Sequence, residues 1–452
     1  HLRGMTVRIR PAQRGQVEPA GPSGLCPRVA DGTMQLVMAI AEQGANFQGK
    51  RVCVVGPFPP RAGELSGQVE MFCQALQGEG AWVRRVNTDV RAVRRLPLIG
   101  IHLLPLAQIV LVTWRLLAAT PRSDILHVFA VSGWGFWLPV MLALLIGRLY
   151  RRRVVVSLSG GESGEFLRRS WRRVLPLLSR ADAVMVTTDY LKEIVGRFGQ
   201  QARVVPNLIS LEHFPVLART EWPVLILWIG DLEENANPVM ALRSLAALRK
   251  LAPEARLMMV GQGSLAQVTA RAATDLEIAG AVAYRAELAS WQREELLREA
   301  SILWFTARED NLPQQLLTAA ASGTVIVSTD VGGIPELLHD GVDGLLVRPD
   351  DAARMAEATM RVLKRPFLAE SLASNARLSV ERYTWSKHRR SVARLYGLLD
   401  ADAAVSADGD SGSVDVNGDD PTDVLGRTEF LWSEPGSGGS QDAEPATRRR
   451  RR

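Results

Sequence analysis

The sequence is poor in cysteine: Cys26, Cys53 and Cys73 are the only three among its 452 residues. Their number is odd and their spacing matches no zinc-ligand pattern, which excludes a disulfide scaffold and a structural zinc site. We therefore expect no metal centre. Unpaired cysteines are typical of proteins in a reducing compartment, so the sequence predicts a cytoplasmic protein.

The two ends of the sequence have little of the apolar content that a folded core requires. The first thirty residues contain Pro, Gly and Arg and lack the apolar segment of a signal peptide. The chain starts at His1, with Met5 and Met34 as alternative starts, and we predict a disordered extension over residues 1–49. Residues 399–452 are rich in Asp, Gly, Ser and Pro, which predicts a disordered acidic tail.

The composition of the whole chain is that of a globular protein. Hydrophobic residues make up 47% and charged residues 23%, which excludes collagen-like and coiled-coil classes. The formal net charge is +6, and the positive excess lies in the first half of the folded region. A basic protein raises the question of a nucleic-acid or anionic membrane partner. Aromatic residues are only 6% of the chain and are not interleaved with the basic residues, so we expect no nucleic-acid partner.

Short apolar segments alternate with helix-length segments between residues 50 and 398, which predicts βαβ units and parallel sheets. The pattern restarts after Asn207. We therefore predict an α/β protein of two doubly wound Rossmann-like domains, residues 50–207 and residues 208–398, with closing helices at the end of the second. The predicted strands are Arg51–Gly56, Ala81–Val86, Asp124–Phe129, Arg153–Leu158, Ala183–Thr188, Arg203–Val205, Val224–Ile229, Arg256–Val260, Val282–Tyr284, Ile302–Phe305, Thr324–Ser328 and Gly344–Val347.

Two apolar segments lie beside clusters of arginine. Leu96–Ala119 is about as long as a membrane-spanning helix, but its Pro, Gly, His and Gln residues favour a buried or membrane-surface hairpin. Trp137–Ile146 is a second apolar helix and runs into Arg148 and Arg151–Arg153. Apolar helices next to arginine clusters are typical of peripheral membrane proteins. A buried helix with a solvated end is the alternative.

Five motifs follow one another in the order and at the separations typical of one enzyme family. They are Gly56–Gly63, Asp124–Val128, Val204–Asn207, Asp310–Pro313 and Ser328–Glu336. Together they resemble the family-4 retaining glycosyltransferases of the GT-B fold over about residues 50–398. The resemblance implies two domains that face each other across a cleft, with an acceptor at the N-terminal domain and a nucleotide-sugar donor at the C-terminal domain. It implies no metal ion and no cofactor.

The positions that would bind the donor diphosphate are substituted. In the family, the first strand of the second domain ends in Gly-Arg and a Lys follows five residues later. Here Gly230 is followed by Asp231, and Ala236 stands at the Lys position. The glycine-rich loop after the first strand keeps Gly63 but continues with Glu64. We hypothesise that other cations replace the missing pair. The candidates are Arg61, Arg308 and Arg348.

The family also has two Glu residues separated by seven positions, one at the donor sugar and one at the ribose. Asp310 stands at the first position, followed by Asn311, Leu312 and Pro313, and Thr318 stands at the second. The resemblance implies catalytic roles for Asp310, for Ser159 in place of a histidine that faces the sugar, and for His127, for which a core position is the alternative. Further donor-binding positions that match are Gly261, Gly263, Gly332 and Gly333, whose alternative role is conformational.

Two functions are therefore compatible with the sequence. The first is a glycosyltransferase, peripheral to the membrane, that transfers a sugar from a nucleotide sugar to a lipid-linked or polysaccharide acceptor. The second is a catalytically impaired relative that acts as a sugar-binding module or partner subunit. The retained fold positions favour the first function, and the substituted charged positions favour the second.

Overall fold

The computed structural model of the protein describes residues 46–59, 64–88, 104–130, 133–214, 224–286, 288 and 290–399. The predicted extension before residue 46, the tail beyond residue 399, Arg61 and Gly63 lie outside these ranges. The described part begins earlier than the predicted start of the folded region at residue 50. Phe47 is buried and packs against Trp385 and Tyr396, so it belongs to the core and not to an extension.

The first half of the chain forms a six-stranded parallel sheet in the order β2-β1-β3-β4-β5-β6. Its strands are β1 (Arg51–Gly56), β2 (Trp82–Asn87), β3 (Ile125–Ala130), β4 (Arg153–Leu158), β5 (Ala183–Val186) and β6 (Arg203–Val204). Strands β3 and β4 pair over their full length, from Ile125 opposite Arg153 to Ala130 opposite Leu158. Every residue of β3 is buried, because helices cover a parallel sheet on both faces.

Within the described ranges, five helices connect these strands: α1 (Glu64–Gly78), α2 (Leu104–Ala119), α3 (Trp134–Leu149), α4 (Ser163–Leu178) and α5 (Asp189–Arg197). The inner sides of α2, α3, α4 and α5 share one apolar core with the sheet, whereas α1 packs in a separate core. Helix α2 is a single helix within the segment for which a hairpin was predicted, and residues 96–103 of that segment lie outside the described ranges. In the described part of the chain, no helix is long and apolar enough to cross a membrane.

The second half repeats this architecture with a sheet in the order β12-β11-β10-β7-β8-β9. Its strands are β7 (Leu225–Ile229), β8 (Arg256–Val260), β9 (Val282–Arg285), β10 (Ile302–Phe305), β11 (Val325–Thr329) and β12 (Leu345–Val347). All pairings in it are parallel. Its first helices are α6 (Pro238–Arg249), α7 (Ala266–Asp275), α8 (Ser290–Glu299), α9 (Gln314–Ala321) and α10 (Ile334–Leu337). The two sheets confirm the predicted α/β fold of two Rossmann-like halves.

Three helices close the described part of the chain: α11 (Ala352–Leu363), α12 (Pro366–Ser379) and α13 (Trp385–Leu395). Helices α11 and α12 pack on the second sheet, but α13 returns to the first half and lies against β5 and β6. The Arg153 Nε donates a hydrogen bond of 2.9 Å to the Leu395 carbonyl, and Tyr396 is buried in the core around α1. The final helix is therefore covalently part of the predicted domain 208–398 and packs with the N-terminal half.

Candidate functional site

The two halves meet where strands of both sheets end. The loop after β4, Ser159–Glu162, lies against the loop after β10, which carries Asp310 and Asn311. The Asn311 side-chain amide donates a hydrogen bond to the Gly160 carbonyl. Ligands of parallel α/β folds bind beyond the carboxyl ends of the strands, so this contact is the expected position of a site.

In the described part of the chain, two cavities border this contact and a third lies beside them. The Asp231 cavity, of about 320 Å³, is lined by Gly230, Asp231, Ala236, Glu162 and Asp310, among others. The Ser159 cavity, of about 150 Å³, is lined by Ser159, Thr187, Asn207, Asp310 and Asn311, among others. The Thr318 cavity, of about 390 Å³, lies between α1 and helices α8 and α9. Asp310 and the Gly160–Gly161 pair border both the Asp231 cavity and the Ser159 cavity.

Asp310 has the electrostatic properties of a functional carboxyl group. Burial raises its pKa to about 7, and the nearby Glu162 and Glu309 carboxylates raise it further. A 2.7 Å hydrogen bond that the backbone amide of Asn311 donates to the carboxylate opposes this rise. A Cβ placed on Gly161 would lie 3.0 Å from either carboxylate oxygen. The absence of a side chain at Gly161 thus keeps space in front of the carboxyl group, which is partly protonated near neutral pH.

Backbone packing explains how the Asp310 loop is held. Gly332 has φ +57°, and a Cβ there would lie 1.7 Å from the Asp310 carbonyl oxygen, so only glycine fits. Gly333 and Gly263 make comparable close approaches to the Asn311 and Leu232 carbonyls. These contacts give the glycines a role in shaping the loops of the cleft, which was the alternative to direct donor binding.

The loop after β7 is shaped in the same way. Gly261 has φ +152°, and a Cβ on it would lie 1.8 Å from the Gly230 carbonyl oxygen. The following residues bring Asp231 and Glu233 to the Asp231 cavity. Burial raises the pKa of Asp231, and the Glu233 carboxylate raises it further. Hydrogen bonds from Ser264 lower the pKa of Glu233 and so favour its charged form.

The described lining of the Asp231 cavity is anionic. Four carboxyl groups border it, and none of its described lining residues is Lys or Arg. The two arginines hypothesised as substitute cations lie elsewhere. Arg308 forms a bidentate pair with Asp350, at 2.9 and 3.2 Å, and lines none of the three cavities. Arg348 lines a surface depression beside β12 and α11. Neither side chain belongs to the described lining of the three cavities, and a role as substitute cation stays a prediction for both.

His127 does not reach the cleft. It is fully buried, stacks on Phe129 at 4.5 Å between ring centroids, and its Nδ1 lies 2.8 Å from the Tyr396 hydroxyl. Burial lowers its pKa to about 3, so the ring is neutral. A side chain enclosed in this way cannot touch a substrate, and the core position is the correct interpretation.

The remaining predicted residues line the cavities, lie beside them or lie outside the described ranges. Ser159 is buried in its cavity with its hydroxyl 3.2 Å from that of Ser157. The Thr318 hydroxyl donates to the Gln314 carbonyl of its own helix and faces the third cavity. Leu312 accepts a 2.7 Å bond from the Asn207 side chain, and Pro313 precedes α9. Glu64 begins α1, and its side chain is outside the described part.

The contacts that hold the two halves together were not predictable from the sequence. The Glu336 carboxylate accepts bonds of 2.9 and 2.6 Å from the backbone amides of Asp189 and Tyr190 at the start of α5. Glu309 pairs with Arg168 at 2.8 Å. Arg293 and His213, which line the Thr318 cavity, were not predicted from the sequence either. Their sequence positions carry no motif, and only the packing of α8 against the segment that follows β6 brings them together.

Comparison with known proteins agrees with this architecture. Residues 32–213 match the family model "Glycosyltransferase Family 4", and residues 223–365 match "Glycosyl transferases group 1". The chain is 24% identical over 290 residues to the glycogen synthase of Mycobacterium tuberculosis, covering 61% of this chain and 69% of that protein. It is 31% identical over 196 residues to the D-inositol 3-phosphate glycosyltransferase of Frankia alni, covering 40% of this chain and 47% of that protein.

Solved structures show the same fold. The sucrose-phosphate synthase of Thermosynechococcus elongatus superposes with a TM-score of 0.61 at 17% identity, over 77% of this chain and 98% of that chain. HepE of Anabaena, in complex with UDP-glucose, superposes with a TM-score of 0.60 at 14% identity, over 77% of this chain and 100% of that chain. These structures show that the chain has the GT-B fold, and the two family models show a glycosyltransferase-like protein. Because the two family models match successive parts of the chain, the protein is similar to the glycosyltransferases of family 4.

Proposed function

We propose that this chain is a retaining glycosyltransferase that moves a sugar from a nucleotide sugar to a lipid-linked or polysaccharide acceptor. The observation that carries the proposal is the position of Asp310, which borders both the Asp231 cavity and the Ser159 cavity. A carboxyl group at that point can contact a donor sugar and an incoming hydroxyl together. The relatives support the substrate classes: HepE was crystallised with UDP-glucose, and a Mycolicibacterium smegmatis relative, 28% identical over 240 residues, is a phosphatidyl-myo-inositol mannosyltransferase.

In this proposal the bond between the anomeric carbon and the donor phosphate oxygen breaks, and a bond from that carbon to the acceptor oxygen forms on the same face. The acceptor hydroxyl gives its proton to the leaving phosphate, so the reaction balances without a metal ion or cofactor. Asp310, with a pKa of about 7, can accept and donate hydrogen bonds to the sugar hydroxyls near neutral pH. It holds the sugar while the charge develops on the leaving group.

The charge of the Asp231 cavity favours a second function. Carboxylates at Asp231 and Glu233 repel a diphosphate, and the missing cations would each contribute about 1.5 to 3 kcal/mol to its binding. In this alternative the chain no longer turns over a nucleotide sugar and acts as a sugar-binding or partner subunit. The two functions differ in whether a nucleoside diphosphate binds at the cleft.

Thermal-shift titration with nucleoside diphosphates and nucleotide sugars separates the two functions. The enzyme proposal predicts stabilisation by one nucleotide and release of its diphosphate from the matching nucleotide sugar, both weakened in Asp310→Asn. Glu254→Gln, an exposed carboxylate remote from the cavities, is the matched control and should behave as the wild type. No stabilisation at millimolar ligand would refute the enzyme proposal and leave the binding function.

The proposal includes a location in the cytoplasm, with the N-terminal half at the membrane surface. Cys53 and Cys73 are free and buried, which supports a reducing compartment. The domain limits 50–207 and 208–398 stay a prediction, and limited proteolysis near residues 207–223 would test the boundary.

A further inference from the structure

Helices α2, α3 and α4 form one layer on the same face of the first sheet. Helix α3 packs between α2 and α4, and the inner sides of all three contribute to one core. Val112 and Leu116 of α2, Val140 of α3, and Leu167 and Val174 of α4 are all buried there. The stability of the layer thus depends on its inner side, and its outer side is free to serve another purpose.

The outer side of α2 and α3 is apolar, where a helix facing water normally carries polar residues. Each helix is 16 residues long and has a single charged residue, Arg115 or Arg148. Trp114, Leu145 and Leu149 are 66%, 67% and 70% exposed. We call this surface the apolar face; it comprises Val110, Trp114, Leu117, Met141, Leu145 and Leu149. These residues recur every three or four positions, so they form two stripes on neighbouring helices.

Arginines border the apolar face. Arg148 and Arg151 lie at the end of α3, and Arg122 follows α2; all three are exposed and make no ion pair within the described ranges. Helix α4, beside α3, exposes Arg172 and Arg173. Apolar side chains bordered by unpaired arginines match the hydrocarbon and the phosphate groups of an anionic bilayer.

We propose that the apolar face docks on the surface of a membrane that contains anionic phospholipid. Trp114, Leu145 and Leu149 enter the boundary between headgroups and acyl chains, and the bordering arginines contact lipid phosphates. A second copy of this chain fits less well, because a two-fold interface on this face would bring the same arginines close to those of the partner. The inference does not depend on sugar transfer, since membrane binding is measurable without turnover.

Flotation of the full chain with lipid vesicles tests the proposal. Vesicles of phosphatidylcholine mixed with phosphatidylglycerol should recover the wild type, whereas phosphatidylcholine alone should recover far less. Trp114→Ser with Leu145→Ser should weaken binding at least about tenfold, because each side chain loses its apolar burial. Arg148→Glu with Arg151→Glu should weaken it more than about tenfold, at about fivefold for each lost positive charge.

Matched controls lie on the second half of the molecule. Phe367→Ser removes an apolar side chain that is 89% exposed, and Arg271→Glu reverses an exposed charge; both should bind as the wild type. Circular dichroism checks that each variant is folded. Equal recovery with and without phosphatidylglycerol, or no recovery of the wild type, would overturn the proposal. So would a dimer in light scattering that Leu145→Ser converts to a monomer, because the face would then be an interface between copies.

Discussion

Replacement of Asp310 by Asn removes a carboxyl group whose pKa the fold raises from 3.8 to about 7. The folded protein therefore holds this proton more tightly than the unfolded chain. The protonated carboxyl stabilises the fold fully below pH 3.8, and this contribution is lost as the pH rises through 7. Asn has the shape of the protonated acid and does not titrate, so Asp310→Asn should be free of this loss.

The size of the effect follows from the pKa. A change from 3.8 to about 7 corresponds to about 4 kcal/mol, at 1.36 kcal/mol for each pKa unit. Because Asp310 lines two open cavities, water screens the charge, and we expect about 2 kcal/mol. Asp310→Asn should accordingly be more stable than the wild type at pH 8 by about this amount, and close to it at low pH.

Urea denaturation followed by circular dichroism at pH 4 and pH 8 measures the effect. Between these values the wild type should lose at least about 1 kcal/mol more unfolding free energy than Asp310→Asn. Glu254→Gln, which removes an exposed carboxylate, should lose as much as the wild type. If wild type and Asp310→Asn show the same pH dependence, the carboxyl group is not desolvated and our description of the cleft is incorrect.

Three further predictions concern other parts of the site. Asp231→Arg with Ala236→Lys should tighten nucleoside diphosphate binding at least about tenfold by calorimetry, since each cation adds a charge-assisted contact; no gain would contradict the placement of the phosphate site. His127→Phe should cost about 1 kcal/mol of unfolding free energy, through the lost bond to Tyr396, and leave turnover within about twofold. A large loss of kcat with normal stability would show that His127 has a catalytic role. Glu336→Gln should speed hydrogen exchange of the first amides of α5, which its carboxylate now binds; unchanged exchange would mean that this contact does not hold the halves together.

Much of the fold was predictable because strands leave a local pattern. The limits of β4, β8 and β10 agree with the predicted segments residue for residue, since each is a short run of apolar side chains bounded by polar or small residues. The site was predictable only as a set of loops. The resemblance to the family pointed to Ser159, Gly230 and Asp310, which lie in the loops after β4, β7 and β10, and these loops line the cavities.

The sequence by itself therefore determined the two parallel sheets and the loops of the cleft, and it predicted that Asp231 and Ala236 stand where the family has cations. Tertiary structure alone decided that α13 returns to the first sheet, that His127 is enclosed beside Tyr396, and that Arg308 is occupied by Asp350. The physical reason is the distance along the chain between the residues that contact each other. Hydrophobic periodicity shows that a face is buried, but the partner that buries it lies far away in the chain and is selected by packing, which leaves no local pattern in the sequence.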